Sequence, residues 1–372
     1  MRPGQWNAPA AARAFEIAGD VESVTPYGSG HINDTFLVVS ADGPRRQRNV
    51  LQRINHEVFR QPEQLMENVA RVSAHLSCRL ADEGASDMDR RCLTLLAARS
   101  GGFLHRDADG GFWRAYRHID DARSWDVGSP ARAREAAGAF GRFARQLMDL
   151  TGPRLHDTIP HFHDTPRRLS ALQDAVERDP LGRAKEVAAE IDAYLSRETL
   201  ANALAAPMAD GRLTERVAHN DTKLNNVLID DITGAGLCVI DLDTVMPGLF
   251  LFDFGDLVRS AANPAAEDER DLAKVVVDVP MFEALARGAL EALAGSLTRF
   301  EQDNLVVSGK VLTYECGMRF LADHLLGDTY FKVHRPGHNL DRARAQLALL
   351  RSIEEREDEL GRLVERVAED VG

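Results

Sequence analysis

A chain of 372 residues, 44% hydrophobic and 28% charged, can bury a large core in two domains or two lobes, and this composition excludes wholesale disorder. A formal net charge of -13, with no basic stripe interleaved with aromatics, argues against nucleic acid as a partner. No apolar run approaches the ~20 residues that span a bilayer, the N-terminus lacks the apolar core of a signal peptide, and Cys78, Cys92, Cys238 and Cys316 form no Cys-x-x-Cys pair. The expectation is a reduced, cytoplasmic protein with no membrane partner.

From Val21 to about Asp120 short β-rich runs (VESVTPYG, DTFLVVS, NVLQRIN, GFWRAYRHID) surround one helix. That helix starts near Pro62 and carries apolar Leu65, Val69, Val72 and Leu76 at 4-3-4 spacing. After Trp125 the pattern turns helical: Ser129-Pro130 caps a helix with Ala133, Ala137, Phe140, Ala144 and Leu147 on its inner face, and Thr151-Gly152-Pro153 stops it. Further helices are predicted near 164–178, 182–206, 280–295, 301–326 and 339–370, interrupted by a β segment at about 217–241. The division expected is an N-terminal lobe over 1–118, a linker over 119–128 and a helical lobe over 129–372, an α+β architecture.

The segment RVAHNDTKLNNVLIDDITGAGLCVIDLDTVMPG carries the chemistry. Val227–Ile229 and Leu237–Ile240 read as strands around a turn-rich Asp-Asp-Ile-Thr-Gly-Ala-Gly. Paired antiparallel with Ile229 opposite Cys238, they would set Asn226 opposite Asp241, ~4.5–5.5 Å apart. Two hard oxygen ligands that leave room for phosphates suit Mg²⁺. Asp221 stands five residues before Asn226 in a His-x-Asp-x-x-x-x-Asn pattern, the spacing of a kinase catalytic loop. It would be the base that orients an acceptor hydroxyl and takes its proton, with Lys223 as a nearby cation. If these carboxylates were only turn caps, two like charges ~4 Å apart would repel by roughly 4 kcal/mol without a cation between them.

HNDTKLNN…VIDLDT resembles the catalytic segment of the aminoglycoside phosphotransferase and choline kinase superfamily, where the pattern is usually His-Gly-Asp, then Asn, then Ile-Asp. With YGSGHINDTFLV, NVLQRIN, FDFGD and ECGMRFLADHLLGDTYFK, the chain is similar, more narrowly, to N-acetylhexosamine 1-kinases from Tyr27 to Lys332. The resemblance implies a two-lobed protein-kinase-like fold with a small β-rich N-lobe and a large helical C-lobe. It also implies transfer of phosphate from ATP to the anomeric hydroxyl of GlcNAc or GalNAc, with Asp221 as base and Asn226 and Asp241 as Mg²⁺ ligands. Alternatives are an aminoglycoside, choline-type or other sugar acceptor, or a silent nucleotide-binding protein. Asp253-Phe254-Gly255 spells a metal-binding motif but follows Asp221 by 32 residues, so Asp253 or Asp256 is expected to cap the next helix and bond the catalytic-loop backbone.

At the nucleotide end, the loop from Gly28 through Gly30 to Asn33 and Thr35 is expected near phosphate, with His31 beside sugar or phosphate. The strand lysine of kinases is replaced by Gln52, with Arg53 beside it, and adenine is expected at the backbone from Arg117 to Ile119. At the acceptor end Asp243 and Thr244 follow the metal motif. Glu315, Arg319 and Asp323 recur every four residues; this stripe is either an ion-pair ladder or, as the resemblance implies, a face where Arg319 and Asp323 hold the sugar. His161-Phe162-His163-Asp164 reads as a helix start capped by Asp164.

Overall fold

The computed structural model describes residues 6–28, 32–126 and 128–372. Gly30 and His31 lie outside the described residues, as does Val127 of the expected linker. Among the described residues no helix is long and apolar enough to cross a membrane. The architecture is α+β, a β-sheet N-terminal region followed by a helical C-terminal region. The chain divides into two compact units that are not contiguous in sequence: Asp149–Pro160 and Leu237–Met246 join the chain up to Ala122, and the remainder forms the second unit. A linear division at 118–128 had assigned both segments to the helical part.

The first unit is built on a five-stranded antiparallel sheet. Its strands are β1 (Asp20–Pro26), β2 (Asp34–Asp42), β3 (Arg45–Ile54), β4 (His105–Arg106) and β5 (Phe112–Arg117), in the order β1-β2-β3-β5-β4. Alternation along the strands sends Phe36, Val38, Leu51, Trp113 and Ala115 to one face, against a short helix over Ala8–Arg13 and Phe15. The opposite face therefore receives Thr35, Gln52 and Arg114, which the ladder register places in one row across β2, β3 and β5. The helix Pro62–Asp82 forms as its periodicity predicts, with Leu65, Val69, Val72 and Leu76 all buried. Its buried Asn68 explains why later chain joins this unit. The Nδ2 of Asn68 donates to the carbonyls of His156 (2.8 Å) and Val245 (3.1 Å), and its Oδ1 accepts from the His156 N–H (3.0 Å).

The second unit is helical. Pro130–Gln146 and Thr165–Arg178 begin at the predicted side-chain caps, Ser129 and Asp164. Three long predicted helices are broken. The 182–206 run becomes two short helices, Ala188–Leu195 and Ala205–Ala209, with 3-10 turns. Arg197 turns the chain there, bonding the Ala193 carbonyl behind it and Glu354 across the core. The 301–326 run divides at Asn304 into Arg299–Asp303 and Leu305–Leu326, and 339–370 divides at Arg356 into His338–Glu355 and Glu357–Val371. Leu305–Leu326 is buried along most of its length, which its mixed pattern of polar and apolar residues had hidden. The turn after the strand Val227–Asp230 forms as predicted, because Asp230 Oδ1 accepts from the N–H groups of Ile232 (3.0 Å) and Thr233 (2.7 Å).

Candidate active site

In the helical unit, His219 to Asn226 form a loop clamped from below. The carboxylate of Asp253 accepts from the N–H groups of His219 (3.0 Å) and Asn220 (2.7 Å), and its carbonyl accepts from the Thr222 hydroxyl (2.5 Å). Asp253 thus bonds the loop backbone as expected, but it does not cap a helix: its helix already starts at Phe250, behind Leu249. Burial pushes the Asp253 carboxyl up to about 6, against the pull of His219 and the two N–H groups. Gly255 of the same Asp-Phe-Gly has a packing reason, since a Cβ there would stand 2.4 Å from the carbonyl oxygen of Ser308. His219 itself is fully buried, edge-on to Phe140 and Phe143.

This clamp presents Asp221. Its Oδ1 pairs with Lys223 Nζ at 2.7 Å, and Asn226 Nδ2 donates to its backbone carbonyl (2.8 Å) and to its Oδ2 (3.3 Å). Burial raises the Asp221 carboxyl, but the charge and hydrogen bond of Lys223 outweigh it, and the net shift is below the usual range. Lys223 is correspondingly raised, above all by Asp221. The result is an ionised, partly exposed carboxylate beside a cation, with its geometry set by backbone and amide contacts. Because Asn226 turns its nitrogen to Asp221, its Oδ1 remains as the acceptor, a hard oxygen suited to Mg²⁺.

In the sheet unit, Asp241 is exposed and sits in a left-handed backbone (φ 59°), a conformation that costs an ordinary residue of order 1 kcal/mol and is concentrated at functional sites. Its carboxylate is a hard oxygen donor. Asp243 and Thr244, expected at the substrate, are buried. Asp243 accepts from Asn33 Nδ2 at 2.6 Å and forms a buried ion pair with Arg114. Asp243 is thus held by Arg114 and Asn33. Gln52 donates to the Thr35 hydroxyl (3.0 Å) and accepts from Arg114 (2.9 and 2.7 Å), while Arg53 stacks 3.5 Å from the Trp6 ring. The buried cation is Arg114 of β5, opposite Gln52 in the ladder. An arginine between Trp113 and Ala115 in an otherwise apolar strand was the available signal.

Gly28 adopts φ 77°, and the Tyr27 N–H reaches the Thr35 carbonyl at 2.9 Å, so the described part of the glycine loop closes β1 onto β2. In the segment expected near adenine, the Arg117 N–H donates to Thr94 O at 2.9 Å and that of His118 to Arg48 O at 3.2 Å. Ile119 is buried.

The acceptor stripe is divided by its contacts. Asp323 accepts from the N–H groups of Thr329 (2.9 Å), Tyr330 (2.8 Å) and Phe331 (2.9 Å) and from Asn339 Nδ2 (2.9 Å). These donors engage the carboxylate, which organises the loop after its helix. Glu315 is tied to His163 (2.9 Å) and Thr165 (2.6 Å), not into an ion-pair ladder. Arg319 lies 5.3–5.7 Å from the rings of Phe162, Tyr330 and Phe331. Its Nη2 is 3.4 Å from the hydroxyl of Tyr330, an exposed tyrosine that the sequence pattern did not single out.

Among known proteins, the model of the phosphotransferase enzyme family matches residues 23–286. The chain is similar to a microcompartment-associated aminopropanol kinase at 16% identity and a TM-score of 0.58, over 95% of this chain and 98% of that one. It is also similar to an aminoglycoside phosphotransferase from Alicyclobacillus acidocaldarius subsp. acidocaldarius DSM 446 (14% identity, TM-score 0.56, 96% of each chain). A third similar structure is a choline/ethanolamine kinase family protein from Mesorhizobium loti (19%, TM-score 0.50, 97% and 98%). At these identities the solved structures establish the fold alone, the protein-kinase-like α+β fold expected from the sequence. The family match spans well over half of the chain and includes Asp221, Asn226 and Asp241, so the chain belongs to the phosphotransferase enzyme family and is, at that level, a small-molecule phosphotransferase.

Proposed function

We propose that this phosphotransferase uses ATP and Mg²⁺ to phosphorylate the anomeric hydroxyl of an N-acetylhexosamine, giving the sugar 1-phosphate. The observation that carries the reading is the ionised Asp221, fixed by Lys223 and Asn226 on a loop clamped by Asp253. A carboxylate held in this way orients an acceptor hydroxyl and accepts its proton as the oxygen attacks phosphorus. Lys223 keeps Asp221 ionised between turnovers and lies close enough to neutralise charge on the transferred group. Asn226 and Asp241 are the proposed Mg²⁺ ligands, and the bound ion would offset the charge on the phosphate oxygens. His31, Gly28, Gly30, Asn33 and Thr35 remain proposed contacts of the glycine loop.

Arg319 is the proposed sugar contact. Support comes from its place in the helical unit: Phe162 lies against it, and the next residue, His163, touches the catalytic-loop carbonyl of Asn220. A guanidinium there suits neutral hydroxyl and amide oxygens and opposes a polycationic aminoglycoside. The similar structures include an aminopropanol kinase and an aminoglycoside phosphotransferase, so the assay must include such acceptors. Incubation with Mg-ATP and GlcNAc, GalNAc, glucose, choline or kanamycin, read by ³¹P and ¹H NMR, is expected to show an anomeric proton coupled to phosphorus. Phosphate on choline or kanamycin instead would keep the Asp221 assignment and overturn the acceptor.

A further inference from the structure

His163 precedes the helix Thr165–Arg178 and has both ring nitrogens engaged within the helical unit. Nε2 lies 3.0 Å from the backbone carbonyl of Asn220, and Nδ1 lies 2.9 Å from Glu315 Oε1. A carbonyl only accepts, so Nε2 carries a hydrogen. The other oxygen of Glu315 accepts the Thr165 hydroxyl at 2.6 Å, which favours the ionised carboxylate, and an ionised carboxylate also only accepts. Nδ1 then carries a hydrogen too, and the ring is an imidazolium between the rings of Phe162 and Phe252.

The carbonyl it holds belongs to a constrained residue. Asn220 has φ 64°, its N–H is taken by Asp253, and Asp221 follows directly. Asp253 therefore anchors the peptide before Asn220 while His163 anchors the one after it, the peptide that leads into Asp221.

We infer that His163 is a positioning residue: as an imidazolium paired with Glu315, it fixes the Asn220 carbonyl and so the direction in which Asp221 is presented. This deepens the phosphotransfer reading and rests on Asp221 as base. The charged groups around the ring favour the protonated form. Glu315 lies on the helix Leu305–Leu326 and Asp256 on Phe250–Ala261, and both act to raise the ring; the charge of the ring also pulls on Asp253 of the latter helix, which burial nevertheless leaves raised. Arg319, one turn beyond Glu315, and Arg168 of the His163-proximal helix add to the field at Glu315 and hold that carboxylate ionised. Burial opposes the charge, but the partners prevail and the net shift of His163 is upward.

The test uses the whole chain. In ¹⁵N-histidine-labelled protein, with His163 assigned by the spectrum of His163→Asn, both ring nitrogens are expected to be protonated at pH 7.5. A neutral ring at that pH would overturn the inference. In Glu315→Gln the ring becomes neutral at pH 7.5, hydrogen exchange of the peptide spanning 216–228 accelerates, and kcat falls by about 10- to 100-fold while the KM for MgATP is unchanged. The alkaline limb of kcat also moves to lower pH by about one unit or more. If Glu315→Gln does not fold, Thr165→Val removes only the hydroxyl and gives a smaller shift in the same direction. A neutral ring in the variant with unchanged exchange and unchanged kcat would sink the positioning role. Wild-type protein that transfers no phosphate would sink the phosphotransfer reading instead, while the ring and exchange measurements would still decide what His163 does to the loop.

Discussion

At Gln52, a lysine would face Arg114 directly across the ladder between β3 and β5. The two side chains are a matched set, because the amide accepts from Arg114 and passes a hydrogen to Thr35, which an ammonium cannot do. Gln52→Lys is therefore expected to destabilise the protein and not to improve the KM for ATP, since two cations at close approach repel by up to about 4 kcal/mol at intermediate dielectric. Arg114→Met should cost more, about 3–5 kcal/mol by urea denaturation, because it strands the buried Asp243 carboxylate. Asp221→Asn is the complementary case: the side chain keeps its size and loses its proton affinity. Turnover should fall by about 10²- to 10⁴-fold with the thermal midpoint nearly unchanged, and an unimpaired kcat would remove Asp221 from the role of base.

Elements meet where side chains are small or saturated. The helices Pro130–Gln146 and Val279–Ala292 approach so closely that a Cβ on Gly288 would lie 2.1 Å from the Arg134 carbonyl oxygen. Gly288→Ala gains roughly 1 kcal/mol of helix propensity but forces the helices apart, so a net loss on the order of 2 kcal/mol is expected in chemical denaturation. The loop after Leu305–Leu326 depends on Asp323 in a different way, through three backbone donors and Asn339. Asp323→Ala should cost about 2–4 kcal/mol and speed hydrogen exchange at Thr329 to Phe331. If sugar KM rose while exchange there stayed slow, Asp323 would be a ligand after all.

For the whole molecule, His163 links pH to stability. Its pKa in the folded state is raised above the ordinary 6.5, so the stabilisation it confers is complete below about 6.5 and is lost as pH rises through the folded value. Glu315, lowered by the same pair although burial opposes it, contributes above its ordinary 4.5 and loses that contribution as pH falls. Unfolding free energy should therefore decline above pH 6.5 in the wild type, and this decline should flatten in His163→Asn. An equal slope in both proteins would show that another group is responsible.

Much of this molecule follows from sequence alone. The helix Pro62–Asp82, the Ser129 and Asp164 caps, the strands β1, β2, β3 and β5 and the Asp221–Asn226 spacing are local features, written within a few residues as periodicity, turn chemistry or motif. The helix break at Arg197 escaped that reading because local propensity continues through it and the tertiary pair with Glu354 interrupts it. Tertiary structure alone decided which polar groups meet. Arg114 finds Asp243 across 129 positions, and His163 finds Glu315 across 152. A buried charge needs a partner, but nothing in the neighbouring residues names it; the partner is the group that packing brings within hydrogen-bond distance once apolar faces have closed.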